Sequence, residues 1–216
     1  MHCPQCGTAL PAGPSGALDL CPACLFGAVL AADRELCPYQ IVAPLAESAH
    51  GTTYLAQRSD SARGLVALKV FPGREDADEL LARYERWKPA LERVRHVSVA
   101  RLLDVGLTDQ GLVYAASEFV TGWPLSALAE HPAIGREGRV EISRQLSEAL
   151  DAIHAAGVAH LDLEAPNVRV STMGGLHVTM LGFGIPLVVD GLEPSPDVDR
   201  VALARVSRRL ELMSQA

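Results

Sequence analysis

Two pairs of cysteines at the start of the chain place the strongest limit on what it can fold into. Each pair has the spacing C-x-x-C, and the four residues are Cys3, Cys6, Cys21 and Cys24. Each pair presents two thiolates on a tight turn, and four thiolates form a tetrahedral site suited to Zn²⁺. Because the protein would supply every ligand, the zinc would be structural and not catalytic. The sequence therefore predicts a small zinc ribbon over residues 1–31.

A redox or disulfide role is the alternative interpretation of these cysteines. Proline follows the first cysteine of each pair, at Pro4 and Pro22. Proline at this position favours rigid turns over the helix-starting cysteine pairs of redox proteins. The reduced thiols of a cytoplasmic protein also fit metal binding better than disulfides. The fifth cysteine, Cys37, is left without a partner in this pattern, and we expect a free thiol there.

Charge and hydrophobicity narrow the classes of partner. The net charge is −7, and residues 1–31 contain no lysine or arginine. A protein that binds nucleic acid normally presents a basic face to the phosphates, so we expect no nucleic-acid partner. The N-terminus lacks the basic region of a secretion signal, and the apolar stretch 17–32 is interrupted by Asp19 and too short to span a membrane. We therefore expect a cytoplasmic protein without membrane contact.

The pattern of apolar residues beyond the cysteines changes from strands to helices along the chain. Alternating apolar residues predict strands at residues 39–42, 52–56, 65–70, 100–105, 111–119, 168–170 and 176–180. Apolar residues at helical spacing predict helices at 76–94, 134–156 and 197–212. A strand-rich first half followed by a helical second half predicts an α+β domain.

Six short motifs then occur in a characteristic order. They lie at residues 45–54 (LAESAHGTTY), 66–69 (VALK), 95–106 (RHVSVARLLDVG), 118–122 (EFVTG), 160–167 (HLDLEAPN) and 182–184 (GFG). In this order they resemble the eukaryotic-like (Hanks-type) Ser/Thr protein kinases of bacteria. The resemblance implies a bilobal protein-kinase-like fold with an N-lobe and hinge at 39–122, a truncated C-lobe at 123–216 and a linker at 32–38.

The resemblance also implies roles for individual residues. Lys69 would contact a nucleotide phosphate, and Glu118 and Val120 of the hinge would contact the adenine. Asp162 would act as the catalytic base and Asn167 as a metal ligand. Alternatively, Lys69 is a solvated or ion-paired strand residue, and Asp162 and Asn167 are present because their side chains bond the backbone of their own loop.

Several positions depart from the kinase pattern. Gly182 replaces the aspartate that binds Mg²⁺, and glycine has no side chain with which to bind a metal. Ala46 and Ser48 stand at two glycine positions, and Leu161 and Glu164 are departures in the catalytic loop. Trp87 falls where the helix glutamate that pairs with the strand lysine is expected, with Glu85 and Glu92 nearby. We therefore do not expect ATP or Mg²⁺ as cofactors, and we expect at most weak nucleotide binding.

These departures predict a pseudokinase that is not an enzyme. Asp162, Asn167, Lys69 and Gly182 would then be remnants of a catalytic site, and the chain would act as a protein-binding, regulatory or scaffolding module. One alternative is a weakly active or atypical nucleotide-dependent kinase or transferase. Another alternative is a structural subunit of a larger assembly.

A protein partner is expected on two apolar segments. One is the helix at 197–212, whose apolar residues are left without the later helices of a kinase C-lobe, and the other is the segment 25–30 after the last paired cysteine. The alternative for the helix is that its apolar stripe faces the core of its own lobe. In that case Arg205, Arg208 and Arg209 would form the solvated face.

Zinc content tests the predicted ribbon. Purified protein should contain close to one Zn²⁺ per chain, because two C-x-x-C pairs complete a four-thiolate site. Elemental analysis should show that the metal is lost in the double variant Cys6→Ser, Cys21→Ser. The matched control is Cys37→Ser, which removes a thiol outside the two pairs and should keep the zinc. Folded wild-type protein without zinc would contradict the prediction.

Overall fold

The computed structural model describes residues 35–36, 38–48, 51–58, 64–71, 76–108, 111–130 and 134–212. The four paired cysteines, Cys37 and the apolar segment 25–30 lie outside these ranges. The zinc ribbon and its ligands therefore stay predictions.

A six-stranded antiparallel sheet forms the first half of the described chain. Its strands are β1 (Glu35–Leu36), β2 (Tyr39–Ser48), β3 (Gly51–Arg58), β4 (Leu65–Val70), β5 (Leu102–Leu107) and β6 (Val113–Glu118). Their order in the sheet is β1-β2-β3-β4-β6-β5. Gly51 of the motif at 45–54 is the first residue of β3. It has φ +122°, and an added Cβ would lie 2.1 Å from the carbonyl oxygen of Val70. Only glycine fits this position, which explains why that one glycine of the motif is present.

Helix α1 (Ala77–Leu91) follows β4. The side chain of Asp76 caps it by accepting hydrogen bonds from the backbone N–H groups of Asp78 and Glu79, at 2.9 and 3.1 Å. Of the apolar residues at helical spacing, Leu80, Tyr84 and Leu91 are buried and Trp87 is partly buried, whereas Leu81 is exposed. Pro89 lies inside the last turn, and the helix ends at Leu91, three residues before the predicted end. The helix continues for two residues past Pro89, so the proline does not end it. Beyond Leu91 the N–H of Arg93 donates to the carbonyl of Ala90 at 3.2 Å, a tighter i→i−3 turn that closes the helix.

The second half contains a small sheet and most of the helices. Its three-stranded sheet has the order β7-β8-β9, with β7 (Trp123–Pro124), β8 (Val168–Ser171) and β9 (His177–Met180). Its helices are α2 (Arg136–Ala155), α3 (Ile185–Val188) and α4 (Pro196–Leu212), with short 3₁₀ turns at Leu125–Glu130 and Ala165–Asn167. Gly157 lies just beyond α2 at φ +79°, the left-handed conformation with which glycine commonly ends a helix.

One large hydrophobic core joins the two halves. It contains Leu80, Tyr84 and Leu91 of α1 together with residues of the C-terminal half that include Ile142, Leu146, Leu150, Phe183 and Leu187. A smaller cluster around Tyr39 and Leu68 lies within the first sheet. The α+β class is confirmed. The short elements β1, β7 and α3 and the two 3₁₀ turns were not predicted, because a strand of two residues or a helix of one or two turns is too short for its period to repeat.

Helix α4 buries one side and exposes the other. Val206 and Leu210 are buried in the core, and Leu203 packs partly against it, while Val198, Val201 and Leu212 are exposed. Arg205, Arg208 and Arg209 are exposed. The alternative prediction, in which the apolar stripe faces its own lobe, therefore holds for Val206 and Leu210. Within the described ranges no helix is both long and apolar enough to cross a membrane.

Candidate functional site

Asp162 and Asn167 lie side by side in the loop between α2 and β8. Nδ2 of Asn167 donates hydrogen bonds to the backbone carbonyl of Asp162 at 3.1 Å and to its carboxylate Oδ2 at 2.9 Å. The predicted alternative, in which this pair bonds its own loop, is therefore correct for one of these bonds. The other bond fixes the orientation of an exposed carboxylate, which is what a proton acceptor requires.

A fully buried carboxylate on α4 holds the start of this loop. Oδ2 of Asp199 accepts a hydrogen bond from the backbone N–H of His160 at 2.8 Å, and Oδ1 accepts one from the N–H of Leu161 at 2.7 Å. Nε2 of His154, at the end of α2, lies 2.8 Å from Oδ2. Leu161 has φ +65°, a left-handed conformation that costs energy for a residue with a Cβ. The two backbone bonds to Asp199 flank this conformation and stabilise it.

His160 is the buried support beneath Asp162. Its ring is completely buried, with the ring centroid of Phe183 6.3 Å away. Nδ1 accepts a hydrogen bond from the N–H of Asp162 at 3.3 Å. Desolvation by burial lowers the pKa of His160 to about 4, although the nearby charge of Asp199 acts in the opposite direction. His160 is therefore neutral at pH 7 and positions the loop, as a packing residue and not as a catalyst.

Gly182 completes the cluster from the end of β9. It has φ +84°, and a Cβ added there would meet only one atom within 4 Å, Oδ2 of Asp162 at 3.7 Å. The backbone N–H of the preceding Leu181 donates to the carbonyl of Asn167 at 2.7 Å. The structure thus brings the three motif positions 162, 167 and 182 together, with open space where the third would carry a carboxylate.

Lys69 lies on β4, opposite Thr53 of β3 and Ala115 of β6. Its ammonium group lies 5.0 Å from the ring centroid of Phe71, a cation–π contact. Among the described residues it has no ion pair, so the ion-paired alternative is not seen there. Glu85, one of the glutamates near the expected partner position, instead lies 4.0 Å from Lys88.

At the hinge, the side chain of Glu118 is bonded to Arg101 and, among the described residues, the backbone N–H of Val120 is left for a ligand. Nε of Arg101 donates to Oε1 of Glu118 at 2.8 Å, and the N–H of Arg101 donates to Oε2 at 3.1 Å. Desolvation alone would raise the pKa of Glu118, but the hydrogen bonds from Arg101 lower it. Both carboxylate oxygens of Glu118 are therefore engaged, and a nucleotide contact by its side chain would compete with Arg101. The N–H of Val120 has no hydrogen-bond partner in the described part of the chain and can serve a ligand.

Arg83 is a contributor that the motif analysis missed. From α1, its Nε donates to the carbonyl of Val188 at 2.9 Å and Nη2 donates to that of Val189 at 3.2 Å. Glu79, one turn earlier, lies 3.1 Å from Nη1. These bonds hold the segment that follows Gly184 against α1. An arginine amid exposed helical charges gave no sequence signal of this role.

The metal-binding positions do not fit Mg²⁺ in the arrangement that the kinase resemblance implies. Of the two ligands implied, the carboxamide of Asn167 is present and the carboxylate at position 182 is absent. Among the described residues, no group of three His, Cys, Asp or Glu side chains could hold a metal. Mg²⁺ is held in proteins mainly through carboxylates and substrate phosphates, so one carboxamide is a poor site.

Comparison with known proteins identifies the relatives of this chain. No protein-family model matches it. Serine/threonine-protein kinase pkn3 of Myxococcus xanthus is 32% identical over 166 residues, which cover 75% of this chain and 30% of that protein. The probable serine/threonine-protein kinase PknB of Lactococcus lactis is 27% identical over 146 residues, 67% of this chain and 23% of that protein. The chain thus spans less than a third of these curated relatives.

A solved structure gives the same result at the level of the fold. The kinase domain of Mycobacterium tuberculosis PknI superposes with a TM-score of 0.65 at 28% identity, covering 82% of this chain and 75% of that one. The fold is that of a protein kinase. The homologues are bacterial Hanks-type Ser/Thr protein kinases.

These relatives correct two predictions. The prediction that the chain is not an enzyme is wrong, because its homologues and structural neighbours are protein kinases, which are enzymes. The expectation that ATP and Mg²⁺ are not used conflicts with the same relatives, since protein kinases take both. Gly182 and the altered glycine motif do not remove the shared fold or the pair of Asp162 and Asn167, so they do not exclude an enzyme.

Asp199→Asn tests whether the buried carboxylate holds the loop. The amide has one acceptor oxygen in place of two, so we expect the free energy of unfolding to fall by about 2–4 kcal/mol. The N–H groups of His160 and Leu161 should also exchange with solvent faster. Urea denaturation and hydrogen exchange measure both effects. The matched control is Asp197→Asn on the same helix, where an exposed pair with Arg200 is lost and stability should change little. Equal effects of the two variants would contradict this role.

Proposed function

We propose that this chain is a weakly active Ser/Thr protein kinase, which transfers a phosphoryl group from ATP to a protein hydroxyl. The observation that carries the proposal is the exposed carboxylate of Asp162, oriented by Asn167 on a loop fixed by Asp199. An oriented carboxylate at this place can accept the proton of an attacking hydroxyl.

The neighbouring residues support binding of the nucleotide. The N–H of Val120, which has no hydrogen-bond partner among the described residues, can donate to the adenine edge, as the hinge position requires. Lys69 makes no ion pair among the described residues, so its charge is available to a phosphate. In protein kinases the lysine of this strand contacts the phosphates and the aspartate of this loop accepts the hydroxyl proton. By that analogy, ATP held by Val120 and Lys69 would direct its terminal phosphate toward Asp162.

The missing carboxylate at position 182 sets the expected rate. A divalent ion would neutralise charge on the transferring phosphate, but the residues present do not fit it. Among the described residues that the proposal places at the phosphates, Lys69 supplies the positive charge. Glu164, in the loop of Asp162, adds negative charge. Weak stabilisation of the transition state predicts slow transfer and low affinity for ATP.

Phosphotransfer from labelled ATP to the chain itself and to generic protein acceptors tests the proposal. Wild-type protein should show slow transfer, and Asp162→Asn should reduce it by about 10²–10⁴-fold, because the variant removes the proton acceptor. Asp151→Asn, on the exposed side of α2, is the control for the charge change and should leave the rate unchanged. Transfer that is absent, or equal in wild type and Asp162→Asn, would overturn the proposal.

A gain-of-function variant sharpens this test. Gly182→Asp puts a carboxylate beside Asn167, and the structure leaves space for its Cβ. We expect about tenfold or more faster transfer with Mg²⁺, despite a backbone cost of about 1 kcal/mol at φ +84°. Gly182→Ala carries the same backbone cost without a carboxylate and should give no gain. A gain in both variants would show that the effect is not metal binding.

A protein-binding role is a second proposal, favoured by the exposed side of α4. Val198 and Val201 are 48% and 52% exposed and lie beside the loop of Asp162, where they line a groove of about 830 Å³. Burying such side chains against a partner is worth about 1.5–3 kcal/mol each when complete. The surface can serve a protein partner whether or not that partner is a substrate.

Charge substitution tests this surface. Val198→Asp plus Val201→Asp should abolish association with a co-purifying protein or with a second copy, measured by light scattering and co-purification. Ala204→Asp adds a charge to the same helix outside the groove and should leave association intact. Val206 and Leu210 are unsuitable positions because they are buried. A wild-type monomer that recruits no protein would leave this second role without support.

A further inference from the structure

We propose a second ligand site, for a phosphate group, in a pocket between the hinge and the hairpin formed by β8 and β9. The pocket has a volume of about 470 Å³, and its polar lining consists of Thr121, Arg169, Ser171, His177 and Thr179. We call it the hairpin pocket. It contains none of the residues of the proposed phosphotransfer site except the edge of the hinge at Val120, so the inference goes beyond the proposed function.

The register of the hairpin places its four polar side chains on one face. Arg169 pairs with Thr179, and Ser171 pairs with His177. Paired residues of an antiparallel ladder share a face and have Cβ atoms about 5 Å apart, and residues two apart along a strand share it also. The opposite face of the hairpin is apolar and buried, with Val168, Val170, Val178 and Met180 all fully covered. The polar face is therefore held rigidly by the core behind it.

Arg169 provides the charge of the hairpin pocket. Its side chain is half-buried, and desolvation by burial lowers its pKa. Within the described ranges the guanidinium makes one hydrogen bond, a long contact of 3.5 Å from Nη1 to the carbonyl of Pro166, and no carboxylate of those ranges pairs with it. A guanidinium carries five donors, and burying it without a carboxylate costs free energy. An anion in the pocket would supply the missing acceptors.

The other groups that line the hairpin pocket include the hydroxyl of Ser171, the ring of His177 and the turn at Gly174 and Gly175. Oγ of Ser171 accepts from the N–H of Met173 at 3.3 Å, so its own proton is free to be donated into the pocket. Nε2 of His177 lies 3.2 Å from the carbonyl of Val97 and 3.4 Å from Oγ1 of Thr179, and these two contacts fix the ring. Because the carbonyl requires a proton on Nε2, Oγ1 of Thr179 accepts from it and keeps its own proton to donate. The turn at Gly174 and Gly175 has open space beside both Cα atoms, so a ligand can approach the backbone there. The described lining of the pocket includes no acidic residue.

This donor set fits a phosphate better than a carboxylate. A phosphate presents three or four oxygens in a tetrahedron, and an arginine fork with two neighbouring hydroxyls can serve several of them at once. The pocket is also large enough for the side chain or molecule that bears the phosphate. The whole chain carries a net charge of −7, which does not attract anions. The attraction of an anion to the hairpin pocket therefore comes from the charge of Arg169. The phosphate can come from inorganic phosphate or from a phosphorylated serine.

Titrations of the full chain with three probes test the hairpin pocket. The probes are inorganic phosphate, a short peptide with one phosphoserine, and the same peptide with serine. Binding is followed by backbone-amide NMR at Ser171, Gly174 and Gly175. We expect saturable shifts there with a phosphate-bearing probe and none with the serine peptide. A preference for the phosphopeptide would identify phosphoserine as the source, and equal binding of inorganic phosphate would identify the free anion.

Two variants and one control complete the test. Arg169→Gln should weaken binding by about tenfold or more, because it removes the charge-assisted bonds. If Arg169→Gln does not fold, Thr179→Val serves in its place. It preserves the shape of the side chain but removes the hydroxyl, and it should weaken binding about threefold or more. Arg144→Gln removes an arginine on the exposed face of α2, paired with Glu141 and Glu148, and should bind like wild type. Failure of both phosphate-bearing probes to bind wild-type protein, or equal loss in Arg144→Gln, would overturn the proposal. Neither result depends on phosphotransfer activity.

Discussion

The carboxylate of Asp199 is the interaction on which the arrangement of the site depends. It lies fully buried on α4, yet its three partners come from α2 and from the loop that carries Asp162. An unpaired carboxylate in this position would be costly, so α4, α2 and the loop must assemble together or not at all. The left-handed backbone at Leu161 is affordable only within that assembly.

Much of the fold could be predicted from the sequence, because long elements carry their own periodicity. Helix α2 and strand β4 were placed within a few residues, since each presents a regular set of apolar positions to the core. Elements such as β7 and α3 were missed because contacts from distant residues define them. Arg83, for example, lies more than a hundred positions before the carbonyls that it binds. No local pattern can reveal such a bond.

The sequence located the residues of the candidate site, but the prediction that the site belongs to a protein that is not an enzyme was wrong. The motif order correctly brought together Asp162, Asn167 and Gly182. It could not show that Arg101 occupies the side chain of Glu118, or that Phe71 lies beneath the ammonium of Lys69. These contacts depend on side-chain directions at strand ends, which a motif does not specify. The absence of the carboxylate at position 182 lowers the affinity for a metal, but it does not by itself exclude catalysis.

The bonds of Arg83 have a mechanical consequence for this fold. One guanidinium on α1 holds two successive carbonyls of the segment after Gly184, and α1 also lies against β5 of the first sheet. Any displacement that separated the helix from that segment would have to break both hydrogen bonds in one step. The position of the helix and the conformation of the segment therefore behave as a single degree of freedom.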